Sequence, residues 1–154
     1  MTTAVFATVA GVAPLDGKRL MDERLWSRLV ARIATEYGVD VSYSERILDQ
    51  AVAFLRLCAA RPNQSFAPSP IVDVGWHAFI LTTREYAEFC EKIAGRFIHH
   101  IPRDEEGADS PLTGVTDTVH ALKELGLWVD EPLWFSSGKC NGSRCDGNQC
   151  RGKP

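Results

Sequence analysis

The sequence predicts an all-α protein: a single bundle of about four main helices, followed by a short irregular cysteine-rich tail. Three observations predict it. Apolar residues recur at helical spacing in four separate stretches. Helix-start and helix-stop residues bracket those stretches. Apolar–polar alternation, the signature of a half-buried strand, is almost absent. Four helices with short connections pack most simply as one bundle. The chain divides into an N-terminal extension over 1–20, a helical domain over 21–135 and a Cys/Gly-rich tail over 136–154.

The first helix is expected over about 22–37. Leu25, Leu29, Ile33 and Tyr37 recur every four residues, Trp26 and Val30 lie beside them, and Gly38 suits the residue just past a helix end. Ser42 with Glu45 reads as a capping box. It opens a second helix over about 43–60 whose stripe is Ile47, Ala51, Phe54, Leu55 and Cys58, and Pro62 stops it. Asn63 to Pro68 is a loop. Ser69-Pro70 supplies an N-cap and a first-turn proline for a third helix, expected to run unbroken over 70–95. Arg96 to Pro102 reads as extended. Thr113 or Thr116 can cap a fourth helix over 116–125, closed by Gly126. Leu127 to Phe135 is apolar and aromatic, interrupted by Pro132, and is expected to lie across the bundle.

The 154 residues suit one domain with a sizeable core. Hydrophobic residues make up 45% and charged residues 24%, which places the chain among ordinary globular proteins. A net charge of −3 offers no basic field to displace the counterions of a nucleic acid, so no nucleic-acid partner is expected. Met1 to Ala13 is apolar but lacks a basic leader segment and is too short to span a bilayer. No membrane association and a cytoplasmic location follow as expectations. The absence of a Gly-rich phosphate loop and of a Gly-x-Ser-x-Gly elbow leaves no support for a nucleotide enzyme or a serine hydrolase.

The chemistry-bearing residues concentrate in one stretch. Three of the four histidines, His77, His99 and His100, fall within 24 residues, and Asp73 precedes His77 by four. Asp and His at that spacing share one helical face, about one turn apart. The plain reading is an aspartate near the helix N-terminus, favoured by the dipole there, hydrogen-bonded to a histidine one turn on. The sharper reading is a metal site. A reversal after Gly95 returns the next segment along the third helix, so that His99 or His100 meets His77. Adjacent side chains of an extended segment point to opposite faces, so at most one of the two joins easily. Two imidazoles and a carboxylate suit a transition metal, zinc first, with iron as an alternative. Cys90 points away from His77 on an unbroken helix. His120, beside Val119, reads as structural or exposed.

The tail carries Cys140, Cys145 and Cys150, spaced five apart. This is neither a zinc-knuckle nor a thioredoxin-like spacing. Gly142 and Gly147 permit turns that gather three sulfurs. Zinc with a fourth ligand from the body, or copper(I) on three thiolates alone, would be held there. A reversible disulfide with a leftover thiol and a tail of no defined role are the alternatives. Cys58 and Cys90 fall in apolar helical patterns and read as buried small hydrophobes.

The segment Val72-Asp-Val-Gly-Trp-His77, followed by Tyr86, Cys90 and Gly95, resembles the Asp-x-x-x-His and downstream Tyr pattern of the glycine-rich domain-containing protein-like family. Plant members carry a similar Trp-His segment. Over about residues 20 to 150 the chain is more similar to small actinobacterial proteins. They share an Asp-Val-Gly-Trp-His-like helix, a Gly-x-Phe-Ile-His-His-like segment, a turn like Gly126 to Trp134 and a Cys-rich end. The resemblance implies a common site around Asp73 and His77 and names no chemistry for it.

The expected function is therefore a metal-binding helical protein, either a plain metal binder or a metalloenzyme, with ligands drawn from Asp73, His77, His99, His100, Cys140, Cys145 and Cys150. The alternatives are a non-enzymatic module that docks a protein or small-molecule partner, and a thiol-redox-responsive protein acting through the tail.

Overall fold

The fold is described from a computed structural model, which describes residues 15–101 and 114–135. A 3-10 turn, Asp16–Leu20, leads into α1 (Glu23–Tyr37), α2 (Val41–Ala60), α3 (Pro70–Ile80), α4 (Thr83–Ala94), α5 (Val115–Glu124) and the single-turn α6 (Glu131–Trp134). The described residues are helical throughout their regular structure, with no strand, so the fold is all-α.

Helix α1 forms where its local signals place it. The Asp22 carboxylate accepts from the amides of Arg24 and Leu25, and Gly38 ends the helix at φ 63°, a left-handed conformation that costs glycine little. Leu25, Trp26, Leu29, Val30 and Ile33 are buried, whereas Tyr37 is exposed. Helix α2 begins two residues before the expected start. Asp40 caps it by accepting from the Tyr43 amide at 2.7 Å, and Ser42 is an exposed first-turn residue. A carboxylate positioned earlier in the chain displaces the Ser42–Glu45 capping box. Eleven α2 residues are buried, so this helix is the axis of the core.

The expected third helix is two helices. The chain breaks at Thr82, whose φ of −86° and ψ of 70° are not helical. Its hydroxyl donates back to the Phe79 carbonyl at 2.6 Å, and its amide donates to the same oxygen at 3.0 Å. A threonine that satisfies the carbonyl three residues back competes with the helical ladder. The break places Thr82 in the core and leaves Thr83 exposed. Phe54, Trp76, Phe79, Tyr86 and Phe89 are all buried as their periodicity requires, with Phe79 edge-on to both Tyr86 and Phe89.

Two further boundaries shift. Helix α5 has Gly114 as its N-cap, without a side-chain cap bond, and Thr116 lies inside its first turn; Thr113 lies outside the described residues, and Gly126 follows the helix at φ 72°. Pro132 starts α6 instead of interrupting it, because a proline in the first turn loses no hydrogen bond. Leu133 and Trp134 of that turn are buried. The 3-10 turn also lies against α2. Gly17 donates its amide to Asp49 at 2.7 Å, and a Cβ there would meet Val52 at 3.0 Å. No helix among the described residues is long and apolar enough to cross a membrane.

Candidate functional site

The site is built on α3, and α3 is placed by two residues. Ser69 accepts from the Val72 amide at 3.2 Å and donates to the Leu133 carbonyl at 2.6 Å, so one hydroxyl caps α3 and ties it to α6. Gly75 faces α2. A Cβ at this position would come within 2.9 Å of the Ala51 Cβ and 3.0 Å of the Ile47 carbonyl oxygen. Only glycine lets the two helices approach so closely. Asp73 and His77, two residues to either side, lie about 200° around the helix from Gly75. They therefore face away from α2 and out of the core.

The chain returns to that face. Gly95 closes α4 at φ 65° and redirects the backbone. Ile98 is buried, and the segment places His100 beside α3. The His100 Nε2 lies 2.7 Å from Asp73 Oδ1. A carboxylate only accepts, so Nε2 carries the proton, and in the neutral imidazole Nδ1 then keeps its lone pair. The His100 ring also lies against the buried Trp76 indole, with centroids 4.4 Å apart. His77 approaches the same ring, with centroids 6.2 Å apart and planes at 72°. The His100 side chain is 18% exposed and that of Asp73 39%, so the pair sits at the rim. His77 is exposed, and no hydrogen bond holds its side chain among the described residues.

Asp73 is thus paired with His100 across 27 residues, and not with His77 one turn along the same helix. Both partners of the sequence pattern stay close, but the hydrogen bond comes from outside it. His99 points elsewhere: it is exposed and its ring lies tilted against Phe97, with centroids 4.8 Å apart, as the alternation of an extended segment requires. His120 is exposed on α5, with Nδ1 3.4 Å from Glu124. Cys140, Cys145 and Cys150 lie outside the described residues. Among the described residues no group of three or more His, Cys, Asp or Glu stands ready to hold a metal ion.

A second layer supports the His100 segment, and sequence reading missed it. The buried Trp76 Nε1 donates to the Tyr86 hydroxyl at 2.9 Å, and that hydroxyl donates to the Ile98 carbonyl at 2.6 Å. Phe97 packs edge-on against the Tyr86 ring at 5.2 Å. Burial drives the Tyr86 phenol well above its ordinary range, so it stays a neutral donor. The available signal was the pairing of two polar-tipped aromatics in adjoining helices, since a buried Trp or Tyr needs a partner for its N–H or O–H. Burial pushes the Cys58 thiol up to about 12, so it is not poised as a thiolate, and Cys90 is fully buried.

The UCP032817-like family profile matches residues 17–110, and the chain belongs to that family. The match covers Asp73, His77 and His100 and leaves out the tail cysteines. It overturns the resemblance to the glycine-rich domain-containing protein-like family. That likeness leaned on the α3 segment and Tyr86, and in this chain Gly75, Trp76 and Tyr86 answer to packing: a close helix approach and a buried hydrogen-bond chain. No curated protein and no solved structure matches the chain.

Proposed function

We propose that the protein binds a divalent transition metal, zinc first, on His77 and His100, with Asp73 as the carboxylate that orients His100. The observation that carries this reading is the 2.7 Å bond from His100 Nε2 to Asp73 beside a second imidazole. Carboxylate–histidine–metal arrangements fix the ring and its tautomer in this way, leaving the other nitrogen to the metal. Two imidazoles on one tetrahedral zinc, with Zn–N near 2 Å, have centroids about 5 Å apart. The 6.2 Å separation lies about 1 Å beyond that. His77 is exposed and makes no side-chain hydrogen bond among the described residues, so its side chain can rotate toward His100 to close the difference. Two protein ligands leave two positions of a tetrahedral zinc for water or a small-molecule donor, one more than the three-ligand catalytic sites keep open. Bound zinc would supply Lewis acidity there.

The test is a calorimetric zinc titration of metal-free protein in which Cys140, Cys145 and Cys150 are all Ser, so that tail thiols do not contribute. One zinc per chain is expected. His77→Ala and His100→Ala should each abolish it while the helical circular-dichroism signal stays unchanged. Zinc uptake that survives both substitutions, or none in the parent protein, rejects the site.

A further inference from the structure

We infer that Tyr86 is the positioning residue of this site: its hydroxyl sets the His100 imidazole against Asp73. The inference rests on the site proposed above but reads a property of the metal-free protein. Tyr86 lies in α4, is fully buried, and touches neither Asp73 nor His77 in any described bond. Its hydroxyl nevertheless joins both supports of His100. It donates to the carbonyl of Ile98, two residues before His100, at 2.6 Å. It accepts from Nε1 of Trp76, whose ring lies 4.4 Å from that of His100, at 2.9 Å. The donated bond fixes the backbone that delivers the imidazole. The accepted bond fixes the indole against which it rests. Both bonds are buried, where water offers no substitute partner. Phenylalanine at this position would keep the ring and its edge contacts with Phe79 and Phe97 and remove the hydroxyl that makes these two bonds and also meets the Cys90 thiol.

The experiment is 15N NMR of the histidine side chains in the metal-free protein at pH 8, above the ordinary imidazole range. Zinc titrations of the same variants accompany it, with the tail cysteines replaced by Ser. Wild type should show His100 as a single Nε2–H tautomer. Tyr86→Phe should show a mixture of tautomers and a zinc affinity lower by about tenfold, within the range for loss of an outer support of a ligand. Leu122→Ala, in α5, serves as the control. It should lower the melting temperature and leave the His100 tautomer alone, because a purely structural loss does not reach the imidazole. Should Tyr86→Phe fail to fold, Trp76→Phe removes the indole donor and keeps a ring under His100; a partial tautomer mixture is then expected.

A single unchanged Nε2–H tautomer in the folded variant overturns the positioning role. If wild type takes up no zinc yet loses its tautomer on Tyr86→Phe, the metal reading fails and the clamp stands. If zinc binds equally well to both proteins with the tautomer intact, the clamp fails and the metal reading stands.

Discussion

Two polar clusters flank α2 and α3, and they differ in how completely their atoms are used. The first centres on Gln50 of α2, which is 1% exposed. Its Oε1 accepts from the Asp130 amide at 3.0 Å and from Trp134 Nε1 at 2.7 Å. Its Nε2 donates to Asp49 Oδ2 and to the Trp128 carbonyl, each at 3.2 Å. Arg46 then grips the Asp130 carboxylate with two bonds, at 2.7 and 2.9 Å. All of the side-chain hydrogen-bonding capacity of Gln50 is spent within the protein. The second cluster is Asp73, His77 and His100, where one 2.7 Å bond is made and two imidazoles meet at the rim. A saturated buried network stitches the segment from Trp128 to Trp134 onto the bundle. A half-used cluster at the surface keeps lone pairs for something else. The difference teaches that the polar residues of this chain divide by what they leave open more than by residue type.

The largest expected effect falls on the saturated cluster. Gln50→Leu leaves the buried Asp130 amide and Trp134 Nε1 without this partner and takes a donor from Asp49 Oδ2 and from the part-buried Trp128 carbonyl. Stranding several buried groups at once should cost about 3–5 kcal/mol of stability, measured by urea unfolding. Zinc affinity, measured where the variant is still folded, should stay near the wild-type value. A loss under about 1 kcal/mol would mean that water already reaches the network, and the contrast between the two clusters would collapse.

The opposite result is expected at the rim. Asp73→Asn should weaken zinc binding about 10–100-fold, because the orienting carboxylate is gone. Stability should change by about 1 kcal/mol or less, since a partly exposed hydrogen-bonded pair at a helix start contributes little. The urea midpoint and the zinc titration check the two halves. A stability loss as large as that of Gln50→Leu, with affinity unmoved, would make Asp73 a structural residue like Gln50.

These two clusters were not equally readable in the sequence. Helix α1 was, because Asp22 and Gly38 act within a turn of where they stand. The start of α2 was misplaced, since Asp40 and Ser42 are both competent caps and only the folded chain chooses between them. The break at Thr82 was hidden because the apolar pattern continues straight through it, while the back-bond that makes it is a single side-chain choice. At the site, the shared face of Asp73 and His77 follows from helical spacing. The bond to His100 does not, because it spans 27 residues and depends on the turn at Gly95 and the hold of Tyr86 on Ile98. The Gln50 network was invisible for the same reason: its partners lie about 80 residues away.

The smallest expected effect probes the seam of the saturated cluster. Asp49 sits beside Gln50 and is buried, with Oδ1 accepting from Gly17 and Oδ2 from Gln50. Burial raises its carboxyl above the usual range. The two hydrogen bonds pull the other way, and Asp16 and Asp130 add repulsion. A group whose folded pKa is raised contributes stability that is fully present below the unfolded value, near 3.9, and lost as pH rises through the folded value. Asn at this position cannot titrate. Wild type should therefore hold its greatest advantage over Asp49→Asn at the acid end, and the variant should gain on it as pH rises from about 4 toward neutrality. Paired urea unfolding curves across that range measure the difference. A gap that moves the other way would mean that the Gly17 and Gln50 bonds outweigh burial. The ionised carboxylate would then be as well served as every other polar atom of the network, and the cluster would be saturated in charge as well as in hydrogen bonds.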